Sequence, residues 1–146
     1  MARLNSADTI AWSIDLMKTL IVEDDFTSRV LLQELLKRYG GSHIAVNGSE
    51  AVDAVRTALR ASAPYDLICL DIMMPVMDGI EALKQIRGLE QEHGRLSNGA
   101  KIVMTTALGD IPNVASAFSG LCDAYLTKPI SKDKLLAELR QLALIE

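Results

Sequence analysis

Cysteine is scarce in this chain: Cys69 sits in an apolar, strand-like run and Cys122 in a loop-like stretch, and no C-x-x-C pair occurs. That argues against a disulfide framework. With only two scattered histidines, His43 and His93, it argues equally against a zinc site, so both thiols are expected to be reduced and structural. Long hydrophobic runs are also missing. No stretch approaches the roughly 18 apolar residues of a membrane span, and a lone Arg3 without an apolar core is not a secretory signal. A cytoplasmic protein that does not engage membrane is expected. Nor is there an excess of positive charge: 15 Lys and Arg stand against 19 Asp and Glu, a net charge of −4, so no direct nucleic-acid partner is expected.

The Pro/Gly/Ser bias of long disordered tracts is absent too, and 49% hydrophobic with 23% charged residues is the balance of a globular protein. A chain of this length buries about 70% of its unfolded surface and folds without a disulfide or metal staple.

From Lys18 onward, short apolar runs alternate with helical periodicity, the pattern of a parallel sheet covered by helices on both faces. Strands are expected at 19–22, 43–46, 67–70, 102–106 and 124–127. The first helix carries Leu31, Leu32, Leu35, Leu36 and Tyr39 and stops at Gly40-Gly41. Ser49 is a candidate cap for the second, which bears Val52, Val55 and Leu59. Ile80, Leu83 and Ile86 mark a third, followed by a polar stretch, 90–99, expected to be a long loop or a frayed extension. A weak fourth helix spans 112–119, with Val114 and Phe118 as its large apolar anchors. Ser131 caps a last helix striped with Leu135, Leu136, Leu139 and Leu142. Strands one, three and four are continuously apolar, whereas two and five carry polar residues and belong at the edges. The order 2-1-3-4-5 satisfies this and is that of the flavodoxin-like doubly wound α/β fold, a (βα)5 arrangement with ligands at the carboxyl ends of the strands.

The residues that end each apolar run are Glu23-Asp24-Asp25, Asp71, Thr106 and Lys128, and in a parallel sheet all fall on one rim. Carboxylates crowded together raise one another's pKa unless a cation sits among them. Hard oxygen ligands, few in number and with room for water, suit Mg2+. Such an ion together with Lys128 would offset an incoming phosphoryl group, the Thr106 hydroxyl would donate to it, and one carboxylate, best placed at Asp71, would remain to attack as nucleophile.

V-E-D-D at 22–25, L-D-I-M-M-P-V-M-D-G at 70–79, T-T-A at 105–107 and K-P at 128–129 resemble the response regulator receiver domain of two-component signalling, over residues 18–146. The resemblance implies that Asp71 accepts phosphate from a sensor histidine kinase, a phosphotransfer protein or a small phosphodonor. It implies that Asp24, Asp71 and the backbone carbonyl of Met73 ligate Mg2+, with Glu23 acting largely through water. Lys128 would grip the phosphoryl group from a cis Lys128–Pro129 bond, Thr106 would move toward it, and Tyr125 would be the switch aromatic. Met73 and Leu108 occupy the positions that tune phosphoryl lifetime, and since neither side chain orients water, slow self-dephosphorylation is expected. The output would be a downstream protein bound at the face of helix four, strand five and helix five, by a monomer or a phosphorylation-dependent dimer.

Taken singly, these residues have plainer readings. Asp24 or Asp25 suits a helix cap, Asp78-Gly79 a turn and helix start, Tyr125 a static aromatic, and the Met73 to Met77 run a packing filler. Two other functions compete. A phosphohydrolase of the haloacid type would need an acid–base Asp where Met73 stands, and a flavodoxin-like cofactor binder would need a phosphate-cradling loop, whereas the loop after strand one is acidic and no G-x-G-x-x-G follows any strand. Residues 1–17 fall outside the resemblance. They read as an N-terminal extension or leader, or as a short amphipathic helix with Ile10, Ile14 and Met17 on one side, docking on its own domain or a dimer mate.

Overall fold

The computed structural model describes residues 16–95, 97–107 and 120–146. The expected fourth helix at 112–119, Leu108 and residues 1–15 lie outside the described residues. Five strands, β1 (Thr19–Val22), β2 (Ser42–Ala45), β3 (Leu67–Asp71), β4 (Lys101–Thr106) and β5 (Ala124–Thr127), form one parallel sheet in the order β2-β1-β3-β4-β5. The described helices are α1 (Phe26–Leu36), α2 (Gly48–Arg60), α3 (Gly79–Glu92) and α4 (Lys132–Gln141).

Successive side chains of a strand point to opposite faces, so each central strand feeds two cores. Leu20, Val22, Ile68, Leu70, Ile102 and Met104 pack with residues of α2 and α3, and Ile21, Leu67, Cys69, Val103 and Leu126 with residues of α1 and α4. This double burial is the reason the central strands read as unbroken apolar runs. Cys69 is buried and both cysteines are free.

Local chemistry sets the helix starts. Asp25, Asn47, Asp78 and Ser131 are the four N-caps, each accepting from the backbone N–H three residues on. The second differs from the expected Ser49. Asn47 wins because Glu50 reaches back to the Val46 N–H at 2.9 Å while Asn47 Oδ1 receives the Glu50 N–H at 2.9 Å, so two otherwise unpaired donors are satisfied together. Strand β2 begins one residue earlier than expected and ends at Ala45. Leu31, expected on the apolar side of the first helix, is 37% exposed, and Tyr39 lies in a 3-10 turn at Lys37–Tyr39.

At 90–99 the extension of the helix is the alternative that holds for the first residues, and the burial of Glu90 is what the sequence did not show. α3 runs on through Glu92, and Glu90, polar in sequence, is only 3% exposed. Its carboxylate accepts from Arg87 Nη1 at 2.6 Å and from the Ala100 N–H at 2.7 Å. Arg87 also donates to Leu121 O at 2.7 Å, Ala100 O at 2.9 Å and Asp123 Oδ2 at 3.1 Å, joining α3 to the starts of β4 and β5. Periodicity cannot anticipate a buried carboxylate, because its stability comes from partners distant in sequence. Replacing Glu90 by Ala strands the Arg87 charge and the Ala100 N–H. We expect a loss of roughly 2–4 kcal/mol in urea unfolding, against a few tenths for the exposed Glu92→Ala.

Candidate functional site

The carboxyl ends of β1, β3, β4 and β5 converge because the strands are parallel and in register, with Asp71 beside Thr105 and Thr106 beside Thr127. Glu23 and Asp71 are almost fully buried, at 0% and 3% exposure. Asp24 is exposed. One carboxylate oxygen from each of Glu23, Asp24 and Asp71 lies within 4.8 Å of the others. Lys128 Nζ stands 2.9 Å from Glu23 Oε2 and 3.2 Å from Asp71 Oδ1. Its backbone N–H donates to Thr106 O at 2.8 Å, tying the end of β5 to that of β4, and the Lys128–Pro129 peptide is cis.

The main chain shapes the cluster further. The Asp25 N–H donates to Glu23 Oε1 at 3.1 Å and Arg29 reaches Glu23 O at 3.4 Å. Arg29 was not anticipated from sequence, although its place one turn into α1, four residues after Asp25, is the available signal. The N-terminus of α3 presses on β3. A side chain at Gly79 would collide with the Asp71 backbone carbonyl, and the Gly79 N–H donates to Ile72 O at 2.9 Å. The glycine of the D-G pair is thus required by close approach.

The electrostatics carry the cost of crowding. Burial, then the neighbouring Glu23 charge, pushes the Asp71 carboxyl up to about 7, with Lys128 opposing. Burial pulls Lys128 down, but Glu23 and Asp71 outweigh it and the ammonium is held above its usual range. The Ser28 backbone N–H and hydroxyl hold the Asp25 carboxyl, the α1 cap, below its usual range.

Glu23 Oε2 is at ion-pair distance from Lys128 yet buried without a hydrogen bond of acceptable geometry, so one carboxylate lone-pair region has no donor. An all-oxygen set, two members buried and one open to solvent, with an under-satisfied oxygen among them, fits a hard divalent cation. The fit rests on these residues of the chain.

The remaining expected residues lie on the same rim or next to it. Thr106 is 1% exposed at the end of β4. Met73, in the loop after β3, is 70% exposed. Tyr125, on β5 opposite Met104, is partly buried against the α2/α3 core, and burial followed by Cys122 pushes its hydroxyl up to about 12.

The response regulator receiver domain family matches residues 19–140. The chain belongs to that family. The receiver is 37% identical over 123 residues to the two-component response regulator ORR41 of Oryza sativa subsp. japonica, covering 82% of this chain and 89% of that protein. Of several other curated relatives the chain spans far less, 47% in one case and 12% in another. Among solved structures it resembles the receiver domain of the Saccharomyces cerevisiae response regulator Ssk1, crystallised with the phosphotransfer protein Ypd1, at 32% identity and TM-score 0.72, covering 87% of this chain and 88% of that one. It also resembles the receiver domain of a sensor histidine kinase from Pseudomonas aeruginosa PAO1 with magnesium in its active-site cleft, at 26% identity and TM-score 0.69, covering 88% and 98%. Among the described residues no helix is long and apolar enough to cross a membrane.

Two predictions follow from the strain stored here. Because the folded pKa of Asp71 is above its ordinary 3.8, the unfolded receiver binds fewer protons between 3.8 and about 7, and stability without divalent ion falls as pH rises through that window. Asp71→Asn removes this slope: in urea unfolding with chelator we expect the variant to be more stable than wild type by roughly 2 kcal/mol at pH 8, converging with it near pH 4. In the loop, Val76 is 85% exposed yet has φ +69°, a left-handed conformation that a β-branched residue adopts only under strain. Val76→Gly should raise stability by about 1 kcal/mol, read from the shift of the urea midpoint.

Proposed function

We propose that this receiver takes a phosphoryl group onto Asp71 from the phosphohistidine of a sensor histidine kinase or phosphotransfer protein, and relays the signal to a downstream protein. The observation that carries the reading is the meeting of Asp71, Glu23 and Asp24 within 4.8 Å, with the Lys128 ammonium 3.2 Å from Asp71 Oδ1. In the transfer an Asp71 oxygen bonds phosphorus while the P–N bond of the donor breaks, and the departing imidazole keeps the electron pair and takes a proton from solvent.

Asp24, Asp71 and the Met73 carbonyl would hold Mg2+, with Glu23 acting through water. When bound, the ion supplies positive charge against the phosphoryl oxygens and keeps Asp71 ionised despite its burial. Lys128 neutralises a second part of that charge. The Thr106 hydroxyl donates to a phosphoryl oxygen, and Tyr125, three residues before Lys128 on the same strand, turns inward behind it. The magnesium in the Pseudomonas receiver and the Ypd1 complex of the Ssk1 receiver support these assignments by similarity.

Residues 18–146 make up the receiver on this reading, with 1–17 an extension to it. The output face comprises residues 112–119, β5 and α4, used as a monomer or a phosphorylation-dependent dimer. The apolar Met73 and Leu108 leave no side chain to orient an attacking water, so the phosphoryl group is expected to persist well beyond seconds.

Purified protein mixed with Mg2+ and acetyl phosphate or phosphoramidate, then examined by intact mass spectrometry, tests this directly. One stable phosphoryl adduct, abolished by chelator and by Asp71→Asn, is expected. Continuous release of phosphate over many turnovers would instead indicate a hydrolase, and an unmodified mass would leave a binding module.

A further inference from the structure

The parallel register sets a neutral hydroxyl directly beside Asp71. β3 lies between β1 and β4, and the β4 partner of Asp71 is Thr105. Cys69 and Val103 belong to the α1/α4 core, and side chains two residues apart on a strand point the same way, so Asp71 and Thr105 both face that side of the sheet. Ile21 belongs to the same core, and Glu23, whose N–H continues the ladder to Ala45 O at 3.0 Å, follows it on that side. Glu23, Asp71 and Thr105 therefore stand in a row across β1, β3 and β4, with Asp71 between a carboxylate and a hydroxyl.

Thr105 is 1% exposed, and its Oγ1 has no hydrogen-bond partner among the described residues. Three buried side-chain polar atoms of the described residues are in that condition, and two of them, Glu23 Oε2 and Thr105 Oγ1, flank Asp71. A buried hydroxyl without a partner costs stability, whereas valine would fill nearly the same space beside Leu126, the β5 partner of Thr105, without that cost. Packing alone does not account for a threonine here. Neighbouring strands lie about 4.8 Å apart, so rotation about side-chain bonds brings the Thr105 hydroxyl within reach of the Asp71 carboxylate on the flank opposite Glu23.

We propose that Thr105 is a positioning residue for the phosphoacceptor: when Asp71 holds Mg2+, the Thr105 hydroxyl donates to the Asp71 carboxylate and fixes its rotation, so that one oxygen is kept toward the incoming phosphorus. A hydroxyl donating to a carboxylate forms a short, charge-assisted bond, stronger than one between neutral groups. The same bond gives the stranded hydroxyl its partner. This role rests on the reading of Asp71 as phosphoacceptor, and it differs from that of Thr106, which is directed at the phosphoryl group.

Three full-length proteins test it: wild type, Thr105→Val, which removes the hydroxyl at nearly constant shape, and Thr105→Ser, which keeps it. In chelator the urea midpoint of Thr105→Val is expected at or above that of wild type, because an unpartnered hydroxyl has been removed. Calorimetric titration with Mg2+ alone should show binding about tenfold weaker in Thr105→Val, and at saturating Mg2+ the rate of adduct formation from phosphoramidate, followed by intact mass, should fall by a similar factor. Thr105→Ser should stay within about twofold of wild type in both measurements. Binding and rate equal to wild type in Thr105→Val overturn the proposal. So does a Thr105→Val protein that is unfolded or clearly less stable than wild type in chelator, since the hydroxyl would then already have a partner, and so does a Thr105→Ser protein as impaired as Thr105→Val. A wild type that binds Mg2+ yet forms no adduct sinks the phosphoacceptor reading itself, and this role with it.

Discussion

Two carboxylates share a buried space in this receiver, and one ammonium holds them there. Glu23 and Asp71 sit at the ends of adjacent central strands, where the parallel register leaves no freedom to separate them. Lys128 answers both, at 2.9 and 3.2 Å, but a single positive charge is not enough to make two buried negative charges comfortable. The elevated Asp71 pKa is the measure of what is left over. A pocket in this condition favours any added positive charge, and the solvent-exposed Asp24 offers the open side from which a divalent ion would enter. Conformation and ion affinity are therefore linked through the same unbalanced charge.

The surrounding structure keeps the crowded groups from relaxing apart. α3 abuts β3 so closely that Gly79 leaves no space for a side chain against the Asp71 carbonyl. The loop between them is pinned at both ends, by the Ile72 N–H to Thr105 O at 3.1 Å and by the Gly48 N–H to Met77 O at 2.9 Å, which joins it to the start of α2. Strain at Val76 is confined to this loop. At the opposite end of α3, Arg87, Glu90 and Asp123 bind the helix to the starts of β4 and β5, the two strands that present Thr106 and Lys128. α3 is thus tied at both ends to the strands that carry the pocket.

Much of this was legible in the sequence. Alternating apolar runs and helical stripes imposed the doubly wound architecture, and the polar residues of the second and fifth runs placed those strands at the edges. Glu23, Asp71 and Lys128 stand at or just past the carboxyl ends of their strands, with Asp24 one residue further on, so the parallel topology brings all four to one rim. Caps that obey short-range rules were readable too, as Asp78 and Ser131 show. Asn47 was missed because Ser49 also satisfies the local rule, and the choice between them rests on Glu50 reaching back to Val46.

The sequence by itself determined the order of elements, the two-faced core and which chemical groups share the rim, because these follow from periodicity and from the direction of parallel strands. Only the tertiary structure decided how deeply each carboxylate is buried, that Glu23 Oε2 is left without a hydrogen bond, and that Glu90 is a buried anchor. The physical reason is range. Backbone periodicity is set within a few residues, whereas desolvation and charge pairing depend on atoms that meet only after distant segments, such as 23 with 128 or 90 with 100, have been packed together.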